Sequence, residues 1–228
     1  MNDSDSTKPT PTSNPEQSEK GRMARIPLPS PEEMTPEQQR IYAAVVAGPR
    51  GQVIGPLRAA IHSPQLAERW SELGEFLRYG MSIPARQTEL AIIVTGRRWT
   101  SQIEWWVHAR AAIDASLAPA VVEAIRNCAA PRFDCSDDAA VYEFTRQLQQ
   151  TGQPDLKTYG AIHERWGVRG VVELTALIGY YTMVAMTLSA HDIPLPEGIE
   201  SPLASPPNGG LIDLPPALVV PATAGADV

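Results

Sequence analysis

Apolar residues recur at intervals of three and four from about Arg25 to Pro202, the rhythm that one buried face of an α-helix requires. The punctuation between these runs fits the same reading. Thr35-Pro36-Glu37 sets a hydroxyl N-cap before a proline at the first helical position and opens a helix to about Ala47. The stretch Gly48 to Pro56 is too rich in glycine and proline to stay helical and reads as a loop. Ser63-Pro64 starts the next helix, to about Tyr79, with Leu66, Trp70, Leu73, Phe76 and Leu77 placed on one stripe. Ile83-Pro84 starts another that ends near Trp99, and Ser101 opens one that ends near Ser116. A short helix from Pro119 to Asn127 follows, then one from Ser136 through Gln150 and one from Asp155 through Trp166. A long apolar helix is predicted from about Val168 to Ala190.

No segment alternates with period two and β-branched enrichment, so the expected architecture is all-α. Short connections imply antiparallel neighbours in a bundle. The two ends differ in composition. Residues 1–24 are polar and too poor in apolar side chains to offset ordering entropy, which predicts a disordered tail. Residues 201–228 are rich in Pro, Ala and Gly and predict a tail or loosely packed arm, leaving a helical domain over 25–200.

Charge and composition narrow the function classes. A chain of 228 residues with 43% hydrophobic and 20% charged residues suits one soluble globular domain. The net charge of -7, with scattered basic residues and a single adjacent pair at Arg97-Arg98, argues against nucleic-acid binding. The polar N-terminus has no apolar core of a signal peptide, and a cytoplasmic protein is expected. Val171 to Ala190 is nearly long enough to span a bilayer. It carries Glu173, several threonines and a tyrosine pair, which favours a buried helix or a subunit interface over a membrane segment. Cys128 and Cys135, spaced C-x6-C around Pro131, match neither a zinc nor a CxxC redox spacing and read as two reduced thiols.

The candidate chemistry lies between Pro84 and Ala112. Ser101, Glu104 and His108 are spaced i, i+3, i+7 and share a helix face, so Glu104 and His108 can touch. A carboxylate beside a histidine favours its charged form, which suits acid–base work. Glu89 reaches the same place if its helix packs antiparallel to the next around the Arg97–Thr100 turn. A purely structural reading competes: Ser101-x-x-Glu104 has the form of a capping box. Trp105, Trp106, Tyr180 and Tyr181 are core or interface aromatics, or line an apolar pocket for a cyclic substrate.

The run from Arg86 to Ile93, followed by Trp99 to Ala112 with its E-x3-H-x-R-A-A, resembles the carboxymuconolactone decarboxylase family, which includes alkyl hydroperoxidase D. Gly55-Pro56-Leu57, His62-Ser63-Pro64 and the Leu177–Tyr181 helix are similar as well, and the likeness covers roughly Ile26 to Pro196. The resemblance implies an alkyl hydroperoxidase D-like helical bundle, trimers or hexamers, and chemistry without a metal or organic cofactor. The hydroperoxidase branch uses C-x-x-C-x-x-x-H with an upstream glutamate. Here Ser101 and Glu104 stand at the cysteine positions, while Glu89 and His108 match the relay ends. A serine hydroxyl cannot cycle through sulfenic acid and disulfide. The decarboxylase branch fits better and implies a carboxy-lyase or related enzyme acting on a small cyclic carboxylate or lactone. In that reading His108 is the proton donor, Glu104 orients it, Glu89 completes a relay and Ser101 adds a hydrogen bond. Arg58 or Arg86 anchors a substrate carboxylate, and Trp105 and Tyr180 contribute to the pocket. Two alternatives remain: a non-catalytic oligomeric binding protein on the same scaffold, and a peroxidase-like redox protein using Cys128 and Cys135.

Overall fold

Prolines and capping side chains decide where the helices begin. The computed structural model describes residues 23–49, 51–206 and 209–218. Among them run eight α-helices: α1 (Pro36–Ala47), α2 (Pro56–Ala60), α3 (Pro64–Tyr79), α4 (Ala85–Arg98), α5 (Gln102–Asp114), α6 (Pro119–Arg126), α7 (Ser136–Thr151) and α8 (Leu156–Ala190). Thr35 caps α1 by accepting from the Gln38 amide, and Gln38 reaches back to the Thr35 amide at 2.9 Å. Asp155 caps α8 by accepting from the Thr158 amide at 2.7 Å. No strand forms among the described residues, which hold one isolated bridge between Arg132 and Leu218. The fold is the all-α bundle that the periodicity implies.

α4 is the central rod. Every residue from Gln87 to Arg97 is buried, as expected of a helix enclosed on all sides. It packs against α5, α7 and α8, and several of its polar residues find partners inside the fold. Asp138 on α7 accepts from Arg86 Nε at 2.9 Å and from Gln87 Nε2 at 2.7 Å. Glu173 on α8 accepts from the Ser82 amide at 2.7 Å, the Ser82 hydroxyl at 2.6 Å and Arg169 Nε at 2.6 Å. Burial alone raises that carboxyl; the Ser82 bonds and Arg169 outweigh it and hold the group below its ordinary range. The pair ties α8 to the turn between α3 and α4.

Two elements differ from the sequence expectation in instructive ways. The stripe on α3 divides: Trp70 and Leu77 are buried beside Ala67 and Gly74, whereas Leu66, Leu73 and Phe76 are 44–50% exposed. Ala67 and Gly74 admit close approach on one side, so that side turns inward although apolar residues occupy more of the helix surface. α8 is broken at Gly167, whose φ of 68° and ψ of -171° suit glycine alone. The break falls between the two helices expected at Trp166 and Val168. By length and composition α8 is apolar enough to cross a membrane, but 56% of its apolar window is buried inside the fold.

The C-terminal stretch runs back over the bundle as an arm. Leu203 and Leu214 are each 3% exposed. Gln102 exchanges two hydrogen bonds with the Leu203 backbone, Tyr142 donates to Pro215 O at 2.7 Å, and the Ala217 amide donates to Glu143 at 2.7 Å. The disorder expected over residues 1–24 falls, but for Met23 and Ala24, outside the described residues, as does the end of the expected C-terminal tail, 219–228.

Candidate active site

The corner between α4 and α5 sets up the site. Arg97, only 4% exposed, donates to Arg126 O at 2.8 Å, to Thr100 Oγ1 at 3.1 Å and to Ala204 O at 3.4 Å. These bonds lock a turn in which Thr100 takes a left-handed conformation (φ 50°) and α5 folds back antiparallel to α4. Gly96 lets the two helices come close: a Cβ there would sit 3.4 Å from the Glu104 Cβ.

Antiparallel packing brings Glu89 on α4 against His108 on α5. His108 Nδ1 and Glu89 Oε2 are 2.6 Å apart, with both side chains at most 10% exposed. With Glu89 accepting, as a carboxylate does, Nδ1 is the donor in this bond and Nε2 is the ring's other nitrogen. Tyr181 meets the imidazole edge to face, with ring centroids 5.0 Å apart and planes at 87°. Burial holds the Tyr181 phenol well above its ordinary range, so it stays protonated.

Glu104 is the anomaly. Its carboxyl is fully buried, and neither oxygen has a hydrogen-bond partner among the described residues. Burial pushes it up to about 8, so it is mostly the neutral acid at pH 7. The Ser101 hydroxyl is the nearby polar group that pulls the other way, yet it forms no bond of ordinary geometry and is itself unpartnered. The capping box does not form. The Ser101 amide donates instead to Gly96 O at 2.8 Å, so Glu104 has no cap to complete.

Glu104, His108 and Tyr180 open onto one cavity of about 220 Å³, roofed by Gln52, Ile54 and Pro56 and completed by Arg78, Tyr79 and Val184. Tyr180 is positioned by a 3.3 Å bond to Trp70 O and an edge contact with the Trp70 ring. Glu89 stands behind His108. Ser101 faces a wider outer groove of about 740 Å³ that also touches Asp192 and Glu197. Ile103 and Leu188 line both spaces and form the wall between them. Arg58, Arg86 and Trp105 do not line the cavity; Arg86 is engaged by Asp138, and Trp105 is a core residue at 3% exposure. Arg78, which sequence reasoning passed over, is the cation that does line it. In sequence it is one of several charges on an exposed-looking helix, and only the tertiary fold turns it inward. Cys128 and Cys135 are free, lie by the ends of α6 and α7, and do not line the cavity. Among the described residues no group of three or more His, Cys, Asp or Glu is placed to hold a metal ion.

Solved structures share this arrangement of helices. An uncharacterized peroxidase-related protein from Ralstonia eutropha JMP134, described as an alkylhydroperoxidase AhpD core, superposes with a TM-score of 0.62 over 77% of this chain and 94% of its own, at 10% identity. The chain has the alkylhydroperoxidase AhpD core fold. An uncharacterized peroxidase-related protein from Silicibacter sp. TM1040 gives a TM-score of 0.60 at 15% identity, covering 75% of this chain and 91% of its own. No family model and no curated protein sequence matches the chain. In this AhpD core the cavity lies between α5, the end of α3 and the second half of α8.

Proposed function

We propose that the cavity is the active site of an acid–base enzyme that moves a proton at a carbon next to the carbonyl of a small cyclic ester, a lactone. The observation that carries this reading is the pairing of two protonic groups on one cavity: a histidine whose Nδ1 is fixed by Glu89, and a neutral carboxylic acid at Glu104.

The chemistry follows from those states. Removing a proton or carbon dioxide next to a lactone carbonyl leaves an electron pair that moves onto the carbonyl oxygen as an enolate. Glu104, protonated and shielded from water, donates a hydrogen bond to that oxygen as charge develops, where a low-dielectric site makes the bond strong. Nε2 of His108 takes a proton from carbon or returns one, and Glu89 stabilises the imidazolium that forms. Decarboxylation of a carboxylated lactone and migration of its double bond use the same enolate, so the resemblance to a carboxy-lyase is compatible with this site.

Thiol-based peroxide chemistry does not fit here. The peroxidase-related description of the structural neighbours stays with them, because Ser101 and Glu104 occupy the positions where such a thiol pair would stand. The test is exchange of the α-hydrogen of unsaturated lactones in deuterated water, followed by proton NMR, with release of carbon dioxide measured for carboxylated ones. Wild-type protein should catalyse exchange and H108A should lose it while remaining folded. Exchange that is absent, or indifferent to His108, defeats the reading.

A further inference from the structure

Arg78 reaches the cavity from the last turn of α3. Its guanidinium carbon lies 5.1 Å from the Tyr79 ring centre, a cation–π contact that holds the head group at the rim. Its Nε is buried and has no acceptor, and Arg78 makes no ion pair or hydrogen bond among the described residues. The contrast with the bundle's other inward arginines is sharp: Arg86 is matched by Asp138, and Arg97 by three oxygens. The other titratable groups on the cavity wall do not neutralise Arg78. Glu104 is the uncharged acid, Tyr181 is held as the neutral phenol, and Glu89 behind the wall is committed to His108.

We infer that the substrate is an organic monoanion, and that Arg78 is its specificity-determining residue, gripping a carboxylate at the mouth while the ring enters toward His108. This rests on the cavity being the active site, and it assigns to Arg78 the anchoring task that sequence reasoning gave to Arg58 or Arg86. A guanidinium with a free edge presents parallel N–H donors to a carboxylate, which a neutral amide of the same shape cannot use equally well. A single six-membered ring with one carboxylate suits a space of about 220 Å³.

The experiment compares benzoate with benzamide by titration calorimetry at pH 7. Wild-type protein should bind benzoate at least about tenfold more tightly. R78Q should bring the two within about twofold, chiefly by weakening benzoate, and R78K, which keeps charge without the fork, should fall between. H108A should retain the preference, which separates this proposal from the catalytic reading: loss of exchange in H108A with benzoate selectivity intact supports both. Equal binding of the two probes by wild type, absence of benzoate binding, or a preference that survives R78Q each overturns the inference. Circular dichroism of R78Q and R78K secures the comparison, and if R78Q does not fold R78K carries it: a preference in R78K equal to that of wild type overturns the inference.

Discussion

Glu89 and His108 sit nineteen residues apart in sequence and 2.6 Å apart in space, joined across two antiparallel helices inside the bundle. In the proposed mechanism this bond sets which imidazole nitrogen meets the substrate. E89Q keeps the shape of the side chain but removes the charge that stabilises an imidazolium. Turnover should fall about 100-fold or more, in the range of general acid–base contributions, with the far-ultraviolet spectrum unchanged. Steady-state kinetics of E89Q against wild type checks this, and a change of less than about threefold would remove Glu89 from the mechanism.

Glu104 couples stability to pH with a definite sign. Its folded value of about 8 lies above the ordinary 4.5, so the folded state holds a proton that the unfolded state releases. The stability tied to that proton is complete below about 4.5 and is lost progressively as pH rises through about 8. E104Q should flatten this part of the profile and gain stability relative to wild type at pH 8 by an amount on the order of a few kcal/mol. Urea unfolding at pH 5, 6.5 and 8 measures it. A wild-type curve that is level over that window, or that E104Q leaves unchanged, contradicts a buried neutral acid. Catalysis that needs the acid form should also decline above about pH 8.

Much of this architecture could be read from the chain, because caps and prolines act locally. Thr35-Pro36, Ser63-Pro64 and Asp155 mark helix starts whatever surrounds them, and Gly167 falls where two helical patterns meet. The short α2 was passed over, since five residues following Gly55 inside a Gly/Pro loop carry no periodic signal. The site was legible in part: Glu104, His108 and Tyr180 line one cavity with Glu89 bonded to His108, whereas Ser101, Arg58, Arg86 and Trp105 do not line it. Spacing favours Glu104 as the partner of His108, yet the partner is Glu89, because the Gly96 carbonyl takes the Ser101 amide and the helix crossing brings α4 alongside. Arg78 had no signal beyond its charge.

The break in α8 depends on two glycines in different ways. Gly167 needs its backbone conformation, and at Gly170 a Cβ would lie 2.2 Å from the Trp166 Cβ, which no adjustment of a side-chain tip relieves. G167A should cost about 1–3 kcal/mol through strain, and G170A at least as much. Thermal or urea unfolding reads both. Losses under about 0.5 kcal/mol would mean that α8 straightens without consequence.

Leu203 and Leu214 fasten the C-terminal arm. L203A and L214A should each destabilise the fold by about 2–4 kcal/mol, the usual range for truncating a buried leucine. Limited proteolysis should then cut first within 201–218. If both variants match wild type in stability and protease resistance, the arm is not integral to the bundle.

Among the described residues, two branched aliphatic side chains, Ile103 and Leu188, line both the inner cavity and the groove that Ser101 faces. Shaving Leu188 to alanine would merge the two chambers into a single passage with an opening at each end. Ligand length is therefore set by a partition and not by the depth of the fold, and a lineage or a designer can lengthen the accepted molecule without touching the residues that handle its proton.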